Sequence, residues 1–198
     1  MSLTPMRGYQ QVIHVAFNHR RDDVRVFEKE LKTLTASGVT ADLLVADGRG
    51  KRIEQDIGIV DVGKRHRKGP SSRLLFALRC FRRCLGYPRR TLIHVHEPDF
   101  LPFAITLAMI GRKIIYDSHE DTPAQIRGWA SSRFSAVGIA AILVWILERL
   151  GSHLFQHVIA ATPHIAGNFS PGSTTTVCNY PLRSIIAEEN ERSGEIAD

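Results

Sequence analysis

The chain has 198 residues, 43% of them apolar and 23% charged, which excludes a disordered or collagen-like polypeptide and fits one globular domain with a full core. Its net charge of +6 is not spread evenly, because ten Lys and Arg residues and no Asp or Glu lie between Lys64 and Arg90, leaving 16 basic against 20 acidic residues elsewhere. The basic character therefore belongs to one patch and is not a property of the fold.

In chain order, residues 1–10 form a polar leader, and Gln11 to Phe17 (QVIHVAF) is a short apolar run rich in β-branched residues that predicts a first strand. After the loop Asn18-His19-Arg20-Arg21-Asp22, the spacing of Val24, Phe27, Leu31 and Leu34 predicts a helix. Asp22 and Asp23 stand at its start and Gly38 at its end. Val39 to Ala46 predicts a second strand and Ile57 to Val62 a third. Beyond a basic loop with Gly69-Pro70, a helix is expected over Ser72 to Leu85, stopped by Gly86 and Pro88.

Leu92 to His96 predicts a further strand, Phe100 to Ile110 a helix, and Lys113 to Tyr116 the strand KIIY. The segment Pro123 to Leu150 is expected to be helical in its second part, with Ser131 or Ser132 as N-cap and Gly151 as stop. Leu154 to Ala160 reads as a strand, Pro163 to Phe169 as a short helix and Thr174 to Cys178 as a last strand. Residues 11–182 then make the domain, and residues 183–198 a polar linker or tail. This alternation predicts an α/β fold, a Rossmann-like, doubly wound parallel sheet in a single domain.

Such sheets bind ligands at the carboxyl ends of their strands, where strand order reverses. That rule selects Asn18-His19, Asp47-Gly48, Glu97-Pro98-Asp99, Asp117-Ser118-His119-Glu120 and Thr162. In KIIYDSHED an apolar strand runs into His119 with the acids Asp117, Glu120 and Asp121. Carboxylates and imidazole suit a hydroxyl-rich substrate, while the competing reading is a helix cap by Asp117 or Ser118. In HVHEPD the pair His94 and His96 projects to one face of a strand, as in some metal hydrolases. Without further ligands on later strands, a polar loop at the sheet edge is the expectation there, and no metal ligands are assigned.

No G-x-G-x-x-G, P-loop or G-x-S-x-G stretch occurs, which moves dehydrogenases, P-loop enzymes and esterases from the front rank. Cys80 and Cys84, one helical turn apart, read as core residues, and three cysteines make no disulfide framework. Residues Met1 to Gln11 lack an apolar signal core, and the apolar run Phe134 to Leu147 is shorter than the roughly 20 residues that cross a bilayer. That run, apolar all round, is expected to be buried, with an interfacial helix adding an apolar contact at a membrane surface as the alternative. A cytoplasmic chain, peripheral at the inner membrane face, is the resulting expectation.

Four stretches in order carry a family resemblance. They are His19 with Asp23-Val24-Arg25 and Lys29-Glu30; His94 to Pro102; Ile114 to Glu120; and Ala160-Ala161-Thr162-Pro163 with Asn179-Tyr180-Pro181. Together they resemble the N-terminal domain of family 4 type glycosyltransferases of the GT-B fold, over about Val12 to Pro181. The resemblance implies an acceptor-binding half that faces a second domain holding a nucleotide-diphosphate sugar. It implies transfer in the cleft between them with retention and without an essential metal. On it, His119 is the catalytic contact at the cleft floor, positioning and hydrogen-bonding the transferred sugar. His19, Asp23 and Arg25 supply the first loop, while Glu97, Asp117, Glu120 and Asp121 line the substrate side. No cofactor is expected in this chain.

The family's paired-glutamate E-x7-E element has no counterpart, since Glu188 and Glu195 are one spacer residue short. The expectation is a domain inactive without a donor half, supplied by a separate chain or a longer protein. The expected partner is a glycan or lipid-linked acceptor of cell-surface polysaccharide synthesis. The basic segment, with Lys64, Arg65, Arg67, Lys68, Arg82 and Arg83, suits an anionic membrane surface. A non-catalytic phosphate-binding module is the alternative; nucleic acid fits less well, because aromatics are sparse in the patch.

Overall fold

The computed structural model of the chain describes Tyr9, residues 11–64 and residues 69–180. Among the described residues, eight strands form one sheet: β1 (Gln11–Val15), β2 (Thr40–Val45), β3 (Arg52–Glu54), β4 (Ile57–Asp61), β5 (Leu92–Val95), β6 (Lys113–Ser118), β7 (His157–Ala160) and β8 (Thr174–Thr176). Their order is β3-β4-β2-β1-β5-β6-β7-β8, parallel throughout save for β3, which runs antiparallel to β4. Strand order reverses between β1 and β5. The doubly wound sheet is therefore as the alternating pattern predicts.

The β3 strand is an addition. Three mostly exposed residues have no apolar pattern to betray them. A turn at Gln55 and Asp56, both at positive φ (51° and 64°), folds β3 back on β4, a backbone twist that suits a tight hairpin.

Helices cover both faces. On one side lie α2 (Pro70–Gly86), α3 (Leu101–Met109) and α5 (Ala136–Leu154), closing the larger core over Ile13, Val15, Ile93, Val95 and Tyr116. Cys80 and Cys84 are fully buried there, and burial raises the Cys84 thiol to about 12. They are core residues, as their spacing predicts. On the other side a π-helical stretch, Val24–Leu31, continues as α1 (Lys32–Ala36) and covers Leu43, Val45, Ile57 and Ile59. Gly38, at φ 79°, ends this segment. The short helices α4 (Thr122–Gly128) and α6 (Pro163–Ala166) follow β6 and β7.

The long helix α5 departs from expectation in three ways. Its N-cap is Ser135, whose side chain accepts from Gly138 N, so it begins after Ser131 and Ser132. A side chain at Gly138 would sit 2.4 Å from the Ser132 carbonyl oxygen. Gly151 does not stop the helix, because a Cβ there would stand 2.5 Å from the Phe155 ring: the glycine makes room for that ring, and the helix runs on to Leu154. Nor is the helix buried all round. Its inward face is Gly138, Ala141, Glu148, Gly151 and Ser152, while Ile139, Ile142, Leu143, Trp145 and Ile146 are exposed. With 19 residues and a mean hydropathy of 1.5, it is longer than the uncharged run implied and could cross a membrane by length and composition. In the domain it packs against α3 and α4.

The inward face holds one buried acid. Tyr116 OH donates to Glu148 Oε1 at 3.0 Å, and burial raises the Glu148 carboxyl from 4.5 to about 7 against the opposing Tyr116 hydrogen bond. Between those values the folded chain holds a proton that the unfolded chain has released, so stability falls as pH rises through the window. The loss amounts to about 3 kcal/mol across it, at ~1.4 kcal/mol per pH unit. Glu148→Gln keeps an acceptor for Tyr116 and removes the titration. Urea melts at pH 5 and pH 8 should show the variant gaining on the parent at the higher pH; parallel profiles would contradict the assignment.

Candidate active site

The switch between β1 and β5 opens a cleft of about 680 Å³. His19, Asp23, Arg25, Glu97, Asp117, His119 and Glu120 all line it, so seven of the eight predicted substrate and catalytic residues converge. Asp121 is the exception. It N-caps α4, accepting from Ala124 N at 3.0 Å and from Asn168 Nδ2 at 3.3 Å. The helix-cap reading thus falls on Asp121, not on Asp117 or Ser118, because β6 continues to Ser118 and carries Asp117 as a buried strand residue.

The loops after β1 and β5 are tied together through Glu97. Its carboxylate accepts from Asn18 N at 2.7 Å and Asn18 Nδ2 at 2.6 Å. Burial raises its pKa, with His19 and the Asn18 hydrogen bonds opposing. Asp23 accepts from Arg25 N and Val26 N, both at 3.0 Å, and so fixes the start of the π-helical stretch. It also meets His19 Nδ1 at 3.3 Å. Burial disfavours charge on His19, but Asp23, Glu97 and Asp117 outweigh it and raise its pKa.

Beneath the first helix runs a buried polar layer that sequence reasoning saw only in part. His14 pairs in register with His94 across β1 and β5, and His96 lies two residues on, on the same face. The His96 ring stacks on both others, with centroids 4.5 Å from His94 and 5.0 Å from His14, while His14 and His94 lie 4.4 Å apart and tilted. His94, in the central strand β5, and His96, directly after it, are 6% and 2% exposed. The expected polar loop at the sheet edge is therefore overturned: the sheet extends through β6, β7 and β8 beyond them and buries them. Burial lowers the pKa of His14 and His94 far below the usual imidazole range and that of His96 to about 3.

Arg25 reaches this layer from the π-helical stretch, donating to Asp117 Oδ1 at 2.8 Å and Oδ2 at 3.1 Å and lying 3.2 Å from Glu30 Oε1. Burial opposes the Asp117 charge, yet its imidazole neighbours, His96 foremost, hold its carboxyl well below the usual range. Glu30 goes the other way, raised to about 9 by burial and by the Asp117 charge beside it. The π winding explains why Glu30 arrives here. Residues five apart on an α-helix point about 140° away from each other, whereas the wider π turn brings Arg25 and Glu30 to one side. Read at α spacing, Glu30 carries no such signal, and His14 is hidden inside an apolar strand.

His119 stands where this layer meets the cleft, its side chain 19% exposed. Its Nε2 is 3.2 Å from His96 Nδ1, and its Nδ1 lies 3.4 Å from Asp117 Oδ1 without forming a hydrogen bond. Burial, aided by Arg25 and His19, lowers its pKa against the pull of Asp117, so the ring is neutral at neutral pH. It offers a fixed neutral nitrogen to whatever fills the cleft. Gln125, Trp129 and Asn179 also line the cleft and were not foreseen. Lys29 Nζ donates to Asn179 Oδ1 at 2.7 Å, so two of the family-like stretches meet in space; Pro181 lies outside the described residues.

The basic patch is only partly described. Arg82 and Arg83, with Arg79 and Gly63, line a shallower cavity of about 580 Å³, and Lys64 is exposed. Arg65, Arg67 and Lys68 lie outside the described residues, as do Glu188 and Glu195. Asp47 does not reach the cleft but clamps Arg21, at 2.5 and 2.6 Å, and Thr162 caps α6, its side chain accepting from Ile165 N.

No family model matches the chain, and no curated protein matches it in sequence. Solved structures do match in shape. The fold is that of one Rossmann-like half of a GT-B glycosyltransferase. Sucrose-phosphate synthase from Thermosynechococcus elongatus superposes with a TM-score of 0.62 at 12% identity, over 91% of this chain and 52% of that one. A trehalose-6-phosphate structure from E. coli, bound with UDP-2-fluoro glucose, gives 0.54 at 11% identity, over 92% and 54%. Alpha,alpha-trehalose 6-phosphate synthase from Burkholderia multivorans gives 0.51 at 12% identity, over 81% and 42%. The chain thus spans about half the length of these glycosyltransferases, and at such identities the likeness is one of fold.

Proposed function

We propose that this domain is the acceptor-binding half of a family 4 type, retaining glycosyltransferase, acting with a donor half that holds a nucleotide-diphosphate sugar. The observation that carries the reading is His119. It is a neutral, oriented imidazole at the floor of a cleft at the strand-order switch, with His19 and Glu120 beside it as hydrogen-bonding groups for sugar hydroxyls and the buried Glu97 and Asp117 holding the surrounding residues in place. The E. coli neighbour's bound UDP-2-fluoro glucose suggests the donor class, a nucleotide-sugar. The acceptor would be a glycan or lipid-linked glycan of cell-surface polysaccharide synthesis. On this reading His119 positions the transferring sugar, and holding both reactants in one geometry supplies much of the rate.

The test compares the chain alone with the chain joined to a GT-B donor domain, assaying transfer from UDP-sugars and UDP-sugar binding. Activity only in the joined form supports the acceptor-half reading. Tight UDP-sugar binding by the chain alone would assign it to the donor side instead.

A second reading, an anion-binding module peripheral to the cytoplasmic membrane face, is favoured by two surfaces on the same side of the sheet. These are the arginines of α2 and the exposed apolar residues of α5. Competition between anionic vesicles and duplex DNA separates its outcomes. Binding to vesicles with no transfer in the joined form would favour this reading over the first.

A further inference from the structure

We propose that His14, Glu30, His94 and His96 form a closed binding site for one divalent transition-metal ion of the Zn²⁺ class, buried between the sheet and the first helix. The inference is independent of the glycosyltransferase reading. Four side chains, from β1, from β5 and the residue that follows it, and from the π-helical stretch, each offer one ligand atom, and all four atoms lie within 4.8 Å of one another.

The centre of the group is Glu30 Oε2, a buried carboxylate oxygen without a hydrogen-bond partner among the described residues. Around it stand His96 Nε2 at 3.5 Å, His14 Nδ1 at 3.6 Å and His94 Nδ1 at 4.0 Å, and His14 Nδ1 lies 2.8 Å from His96 Nε2. A tetrahedral ion with bonds of about 2.0–2.1 Å separates its ligand atoms by about 3.4 Å. The observed spacings bracket that value, so small rotations of the rings would close the polyhedron.

The chemistry agrees with the spacing. Three imidazoles and one carboxylate are the donor set that Zn²⁺ accepts, and soft thiolates or an all-oxygen cage are not what the cluster offers. The outer contacts also have the form that orients ligands in metal centres. The Asp117 carboxylate lies 3.4 Å from His96 Nδ1, the nitrogen facing away from the cluster, and Arg25 Nε lies 3.2 Å from the other Glu30 oxygen. Burial points the same way. His14 is 0%, His96 2% and His94 6% exposed, and among the described residues Glu30 Oε2, which faces all three rings, has no hydrogen-bond partner. Three imidazoles and a carboxylate have been gathered where burial disfavours them, and the His14–His96 contact is the one hydrogen bond among the four.

Four protein ligands leave no open position, so the ion's work is structural. It fixes the His96 ring, whose Nδ1 meets His119 Nε2 at 3.2 Å. His14, His94, Glu30 and His96 are then positioning residues for the cleft floor.

The full chain, stripped with a chelator, reloaded with Zn²⁺ and desalted, is measured for retained metal. The expected result is one ion per chain, with a rise in Tm on loading. Substitution of Co²⁺ should give the intense visible bands of four-coordinate cobalt. Glu30→Gln, nearly isosteric, should weaken retention by at least about tenfold, whereas His153→Ala and His164→Ala, on exposed histidines, should leave it unchanged. X-ray absorption of the loaded parent should report three imidazole nitrogens and one oxygen, a readout that stands even where a variant fails to fold. The proposal is overturned by absence of retained Zn²⁺, by a six-coordinate cobalt spectrum, or by loss only in the exposed-histidine variants. Loss in His119→Ala with Glu30→Gln unaffected would overturn it too, by moving the ion to the neighbouring trio His96, Asp117 and His119.

Discussion

Asp117→Asn is expected to destabilise the domain by about 3–5 kcal/mol, the range for breaking a buried ion pair from one side. Asparagine keeps the shape of the side chain, so no cavity contributes. What is lost is the carboxylate that holds both Arg25 nitrogens, at 2.8 and 3.1 Å, in a layer where Asp117 is 1% exposed. Arg25 then remains as a buried guanidinium whose nearest carboxylate is Glu30. Because the Asp117 charge is what helps hold Glu30 protonated, its removal lets Glu30 ionise and take over part of the pairing, which favours the lower end of the range. Removing both partners, in Arg25→Met with Asp117→Asn, should cost less than Asp117→Asn alone, since no unpaired charge is left. Urea unfolding of the three variants decides the matter. A loss below about 1 kcal/mol for Asp117→Asn would put the pair in the class of exposed salt bridges.

His119→Ala carries the largest expected effect on activity. In the chain joined to a donor domain, transfer should fall by about 100- to 1,000-fold, the size seen when one preorganised hydrogen-bonding group is removed from a reacting centre. The fall should lie in kcat more than in KM, because the ring is proposed to act on the transferring sugar and not on acceptor affinity. Stability should change by less than about 1 kcal/mol, as the side chain lies at the cleft floor outside the apolar core and fills no core volume. Unchanged transfer in a folded His119→Ala variant would remove this residue from the site.

The alternation of apolar strands with helical spacing was enough to predict a doubly wound sheet, and the strand-end rule led to Asn18-His19, Glu97 and Asp117–Glu120 before any coordinates. Those residues do meet, because the chain enters the switch point from β1, β5 and β6 in turn. Where local chemistry alone decided a role, the reading divided: Asp121 looked like one of a cluster of acids and is a helix cap. Boundaries of α5 were missed for a steric reason. Glycine is a helix stop by propensity, but Gly151 is kept inside the helix by the Phe155 ring against it.

The sequence by itself determined the alternation of strands and helices, β3 aside, and the segment in which basic charge collects, since both follow from periodicity and composition. Only the tertiary structure decided that His14, Glu30, His94 and His96 share one buried volume. That needs the parallel register setting His14 beside His94 and a π turn bringing Glu30 round to Arg25's side. Neither register nor winding is carried by the local pattern. A polar residue inside an apolar strand reads as an exception until the strand beside it is known.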